Sequence, residues 1–178
     1  MSEENEAEVP VTQITAVQDE RNESLLDNLQ RKRADLATKE TYIHIPGYDK
    51  DPPILLAKYR LVEGKELDML GDKVTRETKN KWDRQVLAAV DTFITCCEGM
   101  YVDHGDGEPK PMTLEGEHIW GYNEQLATAL NFEAKTAREV VFGVFVNNEI
   151  AIMQHNMMLS RWMSNTSRQV DDDFLGLA

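Results

Sequence analysis

Between Thr75 and Glu98 the apolar residues repeat with the period of an α-helix. Trp82, Val86, Val90, Phe93 and Cys97 recur at three- and four-residue steps, and Leu87 and Ile94 add a second stripe beside the first. Two adjacent stripes leave only a narrow polar face, so this helix needs partners over a wide arc and belongs at the centre of a core. The spacing predicts that Trp82, Val86, Val90 and Phe93 are buried and that Gly99 stops the helix.

The segments around it supply the cover. Thr41 to Pro46 alternates in the manner of a β-strand and ends at a proline; Ile54 to Val62 is a second β-like run. The stretch between them, Gly47 to Pro53, is dense in turn residues, so the two runs read as a hairpin with a long connection. Two strands alone are marginal in water and must pack on helices. A short helix with Leu67 and Leu70 facing in is expected from Glu63 to about Gly71. Met100 to Val102 reads as a short strand, Asp103 to Pro109 as a polar turn, and Met112 to Leu114 as a return beside the strand. Helices are then expected over Tyr122–Leu130, Ala134–Phe145 and Glu149–Met163, with Asn147-Asn148 breaking the last two apart. Ahead of the strands, Leu25, Leu26, Leu29 and Leu36 mark a thin apolar stripe on a helix from about Asp19 to Lys39.

The fold class is therefore α+β: a mainly helical single domain over residues 19–163 with a small N-terminal β-hairpin or short sheet. Residues 1–18 read as a disordered acidic arm, with six acids and no Lys or Arg in the first twenty positions. Residues 164–178 read as a flexible acidic tail. At 178 residues the chain suits one domain with a real core. No apolar run approaches the roughly 20 residues of a membrane span, and no signal peptide is evident. The formal net charge of −13 repels phosphate backbones, so nucleic acid is not an expected partner.

The residues that commonly carry chemistry do not converge. Cys96 and Cys97 are adjacent, which fits neither a zinc site nor a C-x-x-C pair, and they read as core residues. In the loop Asp103-His104-Gly105-Asp106-Gly107-Glu108 the acids miss the spacing of a calcium loop. None of His44, His104, His118 and His155 has the i, i+4 partner of a helical zinc site. His44 is expected to face solvent, and His155 to be a partly buried packing residue on the same side as Ala151, Met158 and Trp162. No catalytic, cofactor-binding or metal-ligating residue is assigned. The methionines are the remaining signal. Met153, Met157, Met158 and Met163, four of the eight in the chain, lie on one helix. They could fill a core or present an adaptable surface to a partner.

The order of short motifs from about Tyr42 onward resembles the tail assembly chaperones of long-tailed phages that infect actinobacteria. The resemblance rests on Ile45-Pro46-Gly47-Tyr48, Lys58-Tyr59-Arg60, the Asp106-Gly107 turn and Thr136-Ala137-Arg138-Glu139-Val140-Val141. It continues with Asn148-Glu149, Ser160-Arg161-Trp162-Met163 and the acidic ending Phe174-Leu175-Gly176. It implies a non-enzymatic protein that binds the tape measure protein and keeps it soluble before the tail tube polymerises. Such a protein works in the host cell cytoplasm and leaves before the virion is finished. The family also implies a longer, frameshifted form of the same chain, which becomes a second candidate partner; an end just past the acidic tail suits the unshifted product. Two other classes stay open: a minor virion or head–tail connector protein, and a small enzyme with an unrecognised site. On the chaperone reading the partner contacts fall on Met153, Met157, Met158 and Trp162, with Phe174 and Leu175 as apolar anchors. Asp171, Asp172 and Asp173 would steer basic stretches of the partner.

Overall fold

The computed structural model describes residues 27, 30–31, 39–62 and 64–175. The expected acidic arm and nearly all of the Asp19–Lys39 helix lie outside the described residues. The unit that begins at Lys39 is α+β. Its described residues form five helices, a four-stranded antiparallel sheet and a two-stranded one.

Strands β1 (Glu40–His44) and β2 (Ile54–Arg60) form the expected hairpin. Ile43 pairs with Ala57 and Thr41 with Tyr59, so the period of two sends Ile43, Leu55, Ala57 and Tyr59 to one face. All four are buried, and the alternate residues Tyr42, His44 and Lys58 take the other face. The Gly47–Pro53 connection is closed by Tyr48, whose N–H donates to the Ile45 carbonyl and whose carbonyl accepts from the Leu55 N–H.

Helix α1 (Gly64–Glu77) runs past Gly71, the expected end. A mid-helix glycine costs about 1 kcal/mol but does not break a helix, and Val74, one turn farther on, is fully buried. The break falls instead at Thr78–Asn80. Asn80 Oδ1 accepts the Trp82 N–H at 2.9 Å, and α2 (Lys81–Cys96) starts there instead of at Thr75. Helix α2 is central as expected, with Val86, Val90 and Phe93 buried. Trp82 is not: its side chain is 43% exposed. The first α2 residue in the core is Val86, one turn deeper, and Trp82 lies outside the ring of elements that covers the helix.

Gly99 does not stop α2. The helix ends at Cys96 because Cys97 is extended and pairs with Tyr59 of the sheet, so helix passes into strand with no loop. Gly99 lies inside that strand, β3 (Cys97–Asp103). The strand returning beside it is β4 (Lys110–Pro111); Thr113–Leu114, expected there, forms β5 and pairs with β6 (Glu117–His118). The four-stranded sheet has the order β1-β2-β3-β4.

Helices α3 (Glu124–Ala129), α4 (Ala137–Val144) and α5 (Glu149–Leu175) complete the layer. Asn123 and Thr136 cap α3 and α4 through their side-chain oxygens. Gly143 on α4 lies against the Phe132 ring, in space a Cβ would occupy. At the centre, the Phe93 ring meets Tyr59, Tyr122, Phe145 and His155, with centroids 4.9–6.4 Å away. No helix among the described residues is long and apolar enough to cross a membrane.

The largest departure from expectation is the length of α5. The helix expected to end at Met163 continues to Leu175, so the backbone of the expected tail is helical through that residue. Nothing between Glu149 and Leu175 is Gly or Pro. Met163 and Thr166 are buried, and Ser167 Oγ donates to the Met163 carbonyl one turn back. Packing thus carries the helix beyond the point where the apolar pattern fades.

Candidate partner-binding surface

Helix α5 carries two apolar stripes, and only one is needed to hold it on the core. The inner stripe is Ala151, Ile152, His155, Leu159 and Met163, all buried. The outer stripe is Ile150, Met153 and Met157, at i, i+3 and i+7. Met153 leans on the core, while Ile150 is 64% and Met157 65% exposed. Trp82 stands across from this stripe, its indole N–H donating to a Glu149 carboxylate oxygen. Together with Gln154 and Asn156 they line a shallow, mainly apolar cleft of about 450 Å³.

The turn ahead of α5 sets the direction of the stripe. Val146 and Asn147 both have positive φ, at 52° and 55°. Asn tolerates this region, but a β-branched valine is strained there. Val146 is 75% exposed. Asn148 then caps the helix, its Oδ1 accepting the Ala151 N–H at 3.2 Å.

The residues expected to bind a partner divide accordingly. Met153 and Met157 line the cleft; Met158 is 41% exposed but is not among the lining residues. Trp162 packs against the core, and Met163 is inside it. Asp171, Asp172, Asp173, Phe174 and Leu175 lie on the last turns of α5, and their side chains are outside the described residues. Trp82 and Ile150 belong to the surface and were not assigned to it from sequence. The spacing of Ile150 from Met153 and Met157 was a usable signal; Trp82 was hidden because its spacing also fits the core stripe of α2.

Two polar networks tie the elements together, and the first of them is buried. His155 is not partly but fully buried. Its Nδ1 lies 2.9 Å from the His44 carbonyl oxygen and therefore carries the proton. Nε2 accepts from the Tyr59 hydroxyl at 2.7 Å, and the Tyr59 oxygen accepts from the Tyr122 hydroxyl at 2.8 Å. Each polar atom in the chain has a partner, which is what permits its burial. Burial lowers the pKa of His155 to about 4 against the opposing pull of the His44 carbonyl. Burial also pushes both tyrosines well above their usual value. The chain is neutral and sealed, so it ties α5 to the sheet and offers no group to a substrate.

The second network centres on Asp91, 5% exposed on α2. Arg138 on α4 grips it through two bonds of 2.6 Å and holds Glu77 at 2.7 Å with its third nitrogen. Lys73 adds a contact of 3.3 Å. Burial, the largest single influence, would raise the Asp91 carboxyl, but Arg138 and Lys73 together outweigh it and hold the group below its usual value. Arg138 thereby joins α1, α2 and α4.

Cys96 is buried and Cys97 half-buried, both as free thiols. Burial pushes each to about 12, so neither is a nucleophile at neutral pH. Among the described residues no group of three or more His, Cys, Asp or Glu side chains is arranged to hold a metal ion. Comparison with protein-family models, with curated proteins and with solved structures found no match.

Proposed function

We propose that this chain is a phage tail assembly chaperone that binds the tape measure protein and keeps it soluble in the host cytoplasm until the tail tube assembles. The observation that carries the reading is the outer stripe of α5 facing Trp82. Exposed apolar residues gathered in a cleft mark a surface that meets another polypeptide. Methionine and tryptophan suit that role because they bury large areas and adapt their shape to irregular partners. The motif order from Tyr42 to Gly176 supports the specific identity of the client. A charge of −13 favours solubility while such a surface is uncovered. On this reading the protein performs no catalysis and leaves before the particle is complete.

The test is co-expression with the tape measure protein. The wild-type chain should keep that partner soluble and co-purify with it. The double substitution Ile150→Glu and Met157→Glu should abolish both effects without shifting the melting curve, because both side chains are more than half exposed. Wild-type yield from the double variant would remove this surface from the binding site. A wild-type chain that rescues no tape measure protein would defeat the reading. Mass spectrometry of purified tails should detect none of the chain; a fixed copy number would favour a connector.

A further inference from the structure

The outer face of the sheet carries chemistry separate from the α5 surface. Tyr42, Lys58 and Gly99 are register partners across β1, β2 and β3, as are His44, Leu56 and Tyr101. The register slips at Lys58/Tyr59: Lys58 pairs with Gly99 and Tyr59 with Cys97, leaving Glu98 as the extra residue of a bulge. A bulge re-aims a side chain, and here the Glu98 carboxylate joins Lys58 and Glu40. Lys58 Nζ is 2.5 Å from Glu40 but 3.8 Å from Glu98. Two carboxylates thus share one ammonium, and Glu98 has the weaker hold on it. Burial, and then the Glu40 carboxylate, push Glu98 above its usual value, while Lys58 holds Glu40 below its own.

Aromatic rings run beside this pair. Tyr42 meets Tyr101 edge-on at 5.0 Å, Tyr101 meets His118 at 5.1 Å, and His118 meets Trp120 at 4.2 Å. The row depends on Gly99: a Cβ there would stand 2.8 Å from the His118 ring. His118 Nε2 is fixed by the Met100 carbonyl at 3.1 Å. The two ends stand clear of the surface, Tyr42 at 42% and Trp120 at 67% exposed.

We infer that this face binds an arginine-bearing segment of a partner polypeptide, the guanidinium lying on the exposed Tyr42 ring and pairing with Glu98. Glu98 holds Lys58 only at 3.8 Å while Glu40 holds it at 2.5 Å, and an incoming guanidinium supplies Glu98 with a closer cation. Arginine stacks on aromatic faces and pairs with carboxylates through a planar fork, whereas lysine is a compact, strongly hydrated point charge. The carboxylate pair excludes anionic ligands, and the charge of −13 draws cations toward the chain. This inference is independent of the chaperone reading and of the α5 cleft.

The test is calorimetric titration with an amidated hexapeptide of alternating glycine and arginine, alongside its lysine counterpart, a glycine–serine peptide and a neutral chitotetraose. The arginine peptide should bind the wild-type chain with Kd below about 1 mM and more tightly than the lysine peptide. Glu98→Gln and Tyr42→Leu should each weaken it by about ten-fold or more, the loss expected for a charge-assisted bond or a stacked cation. Should Glu98→Gln disturb the bulge, the exposed Tyr42→Leu still decides the matter. Equal binding by both variants would assign the affinity to net charge and overturn the site. So would equal affinity for lysine, no heat from the arginine peptide at millimolar concentration, or binding of the sugar alone.

Discussion

Lowering the pH from 7 to 5 should destabilise this protein mainly through one side chain. His155 is folded away neutral, its pKa lowered to about 4, and in the unfolded chain it returns to about 6.5. Between those values the unfolded state binds the extra proton, so stability is fully present above about pH 6.5 and falls as pH drops toward 4. The gap of about 2.5 units corresponds to about 3 kcal/mol in all, of which about 2 kcal/mol is lost by pH 5. The groups facing the ring cannot offset this. Tyr59 and Tyr122 stay neutral, the His44 carbonyl already accepts the Nδ1 proton, and Phe93 and Phe145 pack edge-on at 4.9 and 5.3 Å. Asp91, held below its usual value, titrates beneath the window. Glu98, pushed above its usual value by burial and by the Glu40 carboxylate, acts with the opposite sign. Urea unfolding at pH 7, 6 and 5 measures the total, and His155→Leu isolates the histidine, because every other titration is common to both proteins. The variant should be less stable at pH 7, since Tyr59 and the His44 carbonyl lose a partner. Its stability should nevertheless change with pH by about 2 kcal/mol less than that of the wild type over the same range. Parallel pH profiles for the two proteins would refute the assignment.

Three further outcomes are expected from stability measurements. Phe93→Ala removes the ring at the centre of the core and should cost about 3–5 kcal/mol; an unchanged melting curve would show that the core is centred elsewhere. Arg138→Ala leaves Asp91 buried with only Lys73 near it and should cost about 3 kcal/mol; Arg138→Lys should recover only part, because an ammonium cannot bridge Asp91 and Glu77 as the fork does. Val146→Asn should stabilise the fold by about 1 kcal/mol by relieving a β-branched residue at positive φ, and denaturant midpoints would reveal a change of either sign.

The periodic segments were legible in the sequence because their determinants are local. The three-and-four spacing in α2 fixed which face Val86, Val90 and Phe93 present, and the alternation around Ile43 and Ala57 fixed the faces of the hairpin. Asn147-Asn148 marked a helix break because asparagine tolerates positive φ and caps helix starts, both of which are local properties. What the sequence could not decide was where neighbouring elements end. Trp82 has the spacing of a core residue, yet the cover over α2 begins one turn later and leaves it in the cleft. Helix α5 outruns its own apolar pattern because Met163 and Thr166 find cover. Gly99 has the credentials of a helix stop, but strand pairing ends the helix first and the glycine instead makes room for His118. The ties between Asp91 and Arg138, and between Tyr59 and His155, join residues 47 and 96 positions apart. No local pattern encodes such pairs; they exist only once the helices and the sheet have closed around them.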